Sequence, residues 1–134
     1  MVEEILAYGA PYEFGLEAGS KSELMAVVAL VQSPNQLIIC NGYKDAEYIQ
    51  MACLATQMGK TGIPVIGQFT EVELIIDQAR RIGVRPTIGL RAKLSSRGSG
   101  KWHESGGERS KFGLNITETL RAIEVLREAD MLGC

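Results

Sequence analysis

The 134-residue sequence is poor in the residues that build disulfide frameworks and metal sites: three cysteines, Cys40, Cys53 and Cys134, lie far apart, and His103 is the one histidine. With no CxxC pair and no second imidazole, neither a disulfide scaffold nor a zinc centre is supported, and no metal ligands are assigned. Cys40 and Cys53 read instead as small buried hydrophobes with inert thiols. Nor is positive charge in excess. Fourteen Lys and Arg stand against sixteen Asp and Glu, which argues against a nucleic-acid partner. The longest apolar run, Leu24 to Val31, is too short to cross a bilayer, so no membrane association is expected. Met1-Val2-Glu3-Glu4 is acidic where a signal peptide is basic, so the expected compartment is the cytoplasm.

What is present is an ordinary globular composition, 46% hydrophobic and 22% charged, with apolar residues whose period switches between strand and helix. Val2, Ile5 and Leu6 suggest a helix at the amino terminus. An extended Tyr12 to Glu17 follows. Ser20 with Glu23 then forms a capping box ahead of a helix carrying Leu24, Val27, Val28 and Val31. Leu37 to Cys40 is a continuous apolar strand, stopped by Asn41-Gly42. From Asp45, the spacing of Tyr48, Met51, Ala52, Ala55 and Met58 is helical and closes at Gly59. Ile63 to Ile66 is a strand, Thr70 with Glu73 a second capping box, and Val72, Ile75, Ile76 and Ala79 a helix ending at Gly83. Thr87 to Ala92 is a fourth strand. After a polar, glycine-rich stretch from Ser95 to Ser110, Asn115 or Thr117 caps a last helix through Leu120, Ile123 and Leu126.

Helices between successive strands make this an α/β chain with parallel strands. Four βα units make either a small open sheet or half of an eightfold barrel; the pattern leaves both open, and length alone favours the open sheet. In either architecture the chemistry lies at the carboxyl ends of the strands, where Glu17, Asn41, Gln68 and Arg91 stand. A carboxylate, two carboxamides and a guanidinium on one rim suit an anionic, hydrogen-bonding ligand.

Two motifs fail on context. Gly59-Lys60-Thr61 lacks the upstream glycine of a phosphate loop and follows a helix, not a strand; Gly98-Ser99-Gly100 continues to His103 where a dinucleotide fingerprint needs glycine and a helix. His103 reads as an ordinary loop residue. The stretch from Gly98 to Gly113, with its cations, glycines, Trp102 and Phe112, is a candidate functional loop by its length.

Four blocks then carry a resemblance: Gly15-Leu16-Glu17-Ala18-Gly19-Ser20-Lys21-Ser22-Glu23-Leu24, Cys40-Asn41-Gly42-Tyr43-Lys44-Asp45, Gly89-Leu90-Arg91-Ala92-Lys93-Leu94 and Ser105-Gly106-Gly107-Glu108-Arg109-Ser110-Lys111-Phe112-Gly113. In order and spacing they resemble the biosynthetic arginine decarboxylases, over essentially the whole chain. The resemblance implies a pyridoxal 5'-phosphate enzyme with an alanine-racemase-like barrel, converting L-arginine to agmatine and carbon dioxide for polyamine synthesis, with Mg2+ as a further cofactor and a homo-oligomeric parent enzyme. It implies that residues 1–134 are an internal fragment of the barrel domain, about four βα units of a (β/α)8 TIM barrel; the alternatives are a small flavodoxin-like open sheet acting as a ligand-binding or regulatory domain, and a non-catalytic paralogue that binds a full-length enzyme. The lysine that carries the cofactor is expected on a strand before Pro11, and Met1 to Ala10 contains none, so no catalytic residue is assigned within this chain. By position, the resemblance makes Glu17, Asn41 and Arg91 cofactor-binding residues and Lys111 and Phe112 part of a site loop. One departure stands at Gly67, where the resemblance leads to a glutamate.

Overall fold

A computed structural model describes residues 1–93 and 113–132. The order of elements is α1 (Val2–Gly9), a 3-10 turn (Ala10–Tyr12), β1 (Leu16–Ala18), α2 (Lys21–Leu30), β2 (Leu37–Cys40), α3 (Ala46–Gln57), β3 (Thr61–Ile66), α4 (Glu71–Ile82), β4 (Gly89–Leu90) and α5 (Ile116–Glu128). All strand pairs are parallel.

The strands lie in the order β1-β2-β3-β4. This order decides between the two architectures. A flavodoxin-like sheet reverses direction at a switch point, giving an order such as 2-1-3-4-5, whereas a barrel adds each strand beside the last. The winding here never reverses, and after β4 it continues, because Ala92 bridges Leu114 in parallel. The sheet is therefore an arc of a barrel that does not close among the described residues.

Register sorts the two faces. Leu16 pairs with Ile38 and Ala18 with Cys40, Ile38 with Gly62 and Cys40 with Pro64, and Ile66 with Leu90. These residues face the helices, and most are buried; Ala18, Ile38 and Cys40 pack with Leu24, Val27 and Val31 of α2 and with Tyr48 and Ala52 of α3. Ile66 packs with Ile49 and Cys53 of α3, Val72, Ile75 and Ala79 of α4, and Ala122 and Leu126 of α5. The other face carries Glu17, Leu37, Ile39, Ile63, Val65 and Gly89. None of these is fully buried, and Leu37 is 43% exposed. Both strand faces read as apolar in the sequence; one is covered by helices and the other lines the open arc.

The local signals act largely as expected, with four differences. Tyr12 belongs to a 3-10 turn, because Pro11 near its start supplies a fixed φ and has no N–H to bond, so β1 begins only at Leu16. Ser20 accepts the Glu23 N–H at 3.3 Å, but the Glu23 carboxylate turns to the Gly19 N–H at 2.8 Å, so the box is shifted by one residue. Thr70 is helical and makes no side-chain cap; Glu71 binds the Gly67 and Gln68 N–H groups in its place. The fourth strand has two ladder residues, not six, since its partners are used up between Val65–Ile66 and the single bridge at Ala92. Asn115, not Thr117, caps α5, in a reciprocal box with Glu118. Gly59 and Gly83 adopt the left-handed conformation that ends α3 and α4.

Cys40 and Cys53 are both buried and unpaired by disulfide. Burial pushes each thiol up to about 11. Because the folded state holds these protons more tightly than the unfolded chain, their contribution to stability is present below pH 9 and is lost as the pH rises towards 11. We predict that neither thiol reacts with a disulfide reagent at pH 8 until denaturant is added. Fast labelling of either one in the native protein, located by peptide mapping, would contradict its burial. Cys134 lies outside the described residues.

Candidate functional site at the carboxyl ends of the strands

Three of the four candidate residues reach the rim by parity along their strands. Glu17 is the middle residue of β1, next to Ile39 of β2, and points to the open face. Asn41 follows Cys40 directly and shares that side; its N–H donates to the Ala18 carbonyl at 3.0 Å, extending the β1–β2 ladder by one rung. Its side chain then crosses to β1, where Nδ2 donates to Glu17 Oε1 at 3.3 Å. Two of the candidates are thus brought together directly, with Glu17 exposed and Asn41 half-buried.

Arg91 follows β4 on the same face. Its backbone is locked on both sides, the N–H donating to the Ile66 carbonyl at 3.0 Å and the carbonyl accepting from Leu114 at 2.7 Å, while the side chain is exposed. Glu17 and Arg91 are separated by three strand spacings, roughly 14 Å along a flat sheet at about 4.8 Å per strand. They face each other across the arc without touching. Gln68 does not join them: it is half-buried in the turn after β3, with its N–H on Glu71. Gly67 is buried, and its carbonyl accepts the Gly113 N–H at 2.8 Å. Lys111 and Phe112, like Trp102 and His103, lie outside the described residues.

Between these polar ends the face is apolar. Ile39, Ile63 and Val65 form its floor, and Gly89 lets Val65 pack closely over β4, because a Cβ there would stand 3.0 Å from Val65 Cγ2. Two surface cavities among the described residues lie elsewhere: one is bounded by α4 and α5, the other by Ile5, Tyr8, Tyr12 and Phe14 beside α1. Both are surface grooves away from the strand ends. The rim is an open wall, and it is identified by side-chain chemistry and strand polarity.

Three residues beneath the rim escaped the sequence reading. Tyr48 on α3 is buried, and its hydroxyl donates to the Ala18 carbonyl at 2.6 Å, with the Asn41 carbonyl at 3.4 Å. Desolvation is the first cause that raises this phenol well above its ordinary value, so it is a proton donor at any physiological pH. Lys44 and Glu71 form an ion pair at 3.3 Å with side chains 0% and 3% exposed. Tyr48 was visible only as an apolar helix position, Lys44 as one cation in a polar loop, and Glu71 as an acid in a first helical turn. No local pattern reveals that the last two meet across 27 residues.

The chain's likeness to known proteins fits this geometry. The sequence model of the family described as "Pyridoxal-dependent decarboxylase, pyridoxal binding domain" matches residues 2–133. Biosynthetic arginine decarboxylase from Phocaeicola vulgatus is 51% identical over 134 residues, 100% of this chain and 21% of that protein. The enzyme of the same name from Nostoc sp. is 48% identical over 132 residues, 98% of this chain and 19% of that protein. The crystal structure of biosynthetic arginine decarboxylase from Campylobacter jejuni superposes with a TM-score of 0.82 at 34% identity, covering 98% of this chain and 20% of that one. The chain spans about a fifth of the length of these relatives. With a parallel arc that winds without a switch point and a family match across nearly all its residues, the chain belongs to the pyridoxal-binding domain family of the pyridoxal-dependent decarboxylases.

Proposed function

We propose that this chain is part of the pyridoxal phosphate-binding barrel of a cytoplasmic, homo-oligomeric biosynthetic arginine decarboxylase, which converts L-arginine to agmatine and carbon dioxide in polyamine and spermidine synthesis. The observation that carries the reading is the identity of about one half, sustained over the whole chain, with enzymes of that name. No helix among the described residues is long and apolar enough to cross a membrane.

The residues present fit one wall of a pyridoxal phosphate site. The apolar floor of Ile39, Ile63 and Val65, with no side chain added at Gly89, suits the face of a flat heteroaromatic ring, while Glu17 and Arg91 supply opposite charges at the strand ends. When bound, the cofactor supplies the electron sink that decarboxylation requires. Asn41 orients Glu17 by donating to Oε1, and the exposed carboxylate would hold a cationic, protonated nitrogen of the ligand. Arg91 supplies a fixed positive charge to an anionic group of the ligand. The apolar floor excludes water below them and strengthens both interactions. Among the described residues no three His, Cys, Asp or Glu side chains are placed to hold a metal ion.

The test is a chimera in which these 134 residues replace the matching stretch of the Phocaeicola vulgatus enzyme. Pyridoxal phosphate binding and agmatine formation from arginine are expected; a folded chimera that does neither would sink the reading. In the active chimera, Arg91→Ala should cost roughly 10- to 100-fold in cofactor affinity or kcat, as removal of a charged hydrogen bond of about 1.5–3 kcal/mol implies. Arg80→Ala, exposed in the last turn of α4, should change either by less than about threefold, since such surface substitutions stay within about 0.5 kcal/mol. Equal losses for the two would reject the role given to Arg91.

A further inference from the structure

Under the rim runs a buried polar seam that the reading above does not use. Lys44 Nζ donates to the Gly42 carbonyl at 2.6 Å and pairs with Glu71 Oε2 at 3.3 Å. Glu71 Oε2 also accepts the N–H groups of Gly67 at 2.8 Å and Gln68 at 3.2 Å. Gly42 has a φ of +84°, and a Cβ on it would lie 2.7 Å from the Gly19 carbonyl oxygen. That peptide is therefore wedged against the turn after β1 on one side and held by Lys44 on the other. Asn41, the residue before it, is the one that reaches Glu17.

We propose that Lys44 and Glu71 are positioning residues for the Glu17–Asn41 pair: they clamp the Gly42 carbonyl, one residue past Asn41, to the Gly67–Gln68 turn, and so fix where the rim carboxylate meets the cofactor. The inference rests on the function proposed above. Stability alone accounts poorly for the pair, because replacing a buried ion pair by apolar groups of similar volume is often neutral or favourable. Glu71 Oε1 is moreover buried with no hydrogen-bond partner among the described residues, a cost that an apolar residue would not carry. What an apolar pair cannot do is hold one carbonyl and two N–H groups from two different loops at once.

A single substitution strands one buried charge, so the informative variant of the chimera is the double Lys44→Met/Glu71→Leu. Three readouts are expected. Hydrogen exchange of the cofactor-free protein speeds up at least tenfold at the Gly67 and Gln68 amides, with α5 unchanged; pyridoxal phosphate Kd rises at least tenfold; and the thermal midpoint of the cofactor-free protein stays close to that of the parent. The second variant, Lys44→Met/Glu71→Gln, restores an acceptor for the two amides without charge and should recover part of both losses. If the first variant does not fold, the second carries the same test against the parent, with smaller changes of the same sign. Unchanged exchange at Gly67 and Gln68, or unchanged cofactor affinity despite faster exchange, overturns the positioning role. The exchange readout needs no bound cofactor, so it separates failure of this inference from failure of the decarboxylase reading, which a parent chimera that binds no pyridoxal phosphate would reveal.

Discussion

Purified as the 134-residue polypeptide and supplied with pyridoxal phosphate and arginine, the chain is expected to form no agmatine above background. The cofactor aldehyde needs a primary amine at the strand ends, and the six lysines are Lys21, Lys44, Lys60, Lys93, Lys101 and Lys111. Lys21 is bound at the surface to Asp45 and Glu47. Lys44 is enclosed under the rim with Glu71. Lys60 precedes β3, and its ammonium caps the Val31 carbonyl at the end of the sheet opposite the rim. Lys93 alone among the described lysines follows a strand on the side of Gly89 and Arg91, but its stem packs against Gly113, where a Cβ would come within 3.0 Å of Lys93 Cγ. Lys101 and Lys111 lie outside the described residues, and neither stands where the family resemblance puts the cofactor lysine. Borohydride reduction in the presence of cofactor, followed by peptide mapping, measures any covalent attachment. Stoichiometric labelling of Lys93 together with agmatine release would overturn the expectation.

Much of this was legible in the sequence because short-range signals decide it. Strand polarity put Glu17 and Arg91 at the carboxyl ends of their strands in the sequence, and the observed parallel register then places both on one face. The apolar run at Leu37–Cys40 gave the second strand its bounds, while Asn115 and Thr117 were both open as the last helix's cap until the box with Glu118 selected Asn115. What escaped is long-range. Whether a βαβα chain reverses its winding is settled by helix and strand packing, which no single segment encodes, so the choice between barrel arc and open sheet needed the observed strand order. The burial of Lys44 had no sequence signal, since lysines are almost never fully buried; its partner is set by how two loops meet. The same holds for Thr70, whose cap was plausible locally but lost to Glu71, one residue later, where two turn N–H groups converge.

The same 134-residue polypeptide should associate with itself in solution. Its sheet is covered by α2 to α5 on one side, but on the other Leu37, Ile39, Ile63 and Val65 are left partly wet, and β1 pairs only with β2, leaving its outer backbone groups unpaired within the sheet. Around α1, Tyr8 is 85%, Tyr12 79% and Phe14 50% exposed. At about 25 cal/mol per Å2, each few hundred Å2 of apolar surface left in water forgoes several kcal/mol, comparable with the roughly 5–15 kcal/mol that stabilises a whole domain. Covering the open face with a second copy recovers part of that, and an unpaired strand edge offers it a template. Sedimentation velocity at micromolar concentration should therefore show dimers or larger species, with a broad, concentration-dependent melt. A monodisperse monomer with one sharp cooperative transition would mean that the apolar face is satisfied within the chain itself, and the open-arc account of the sheet would have to be abandoned.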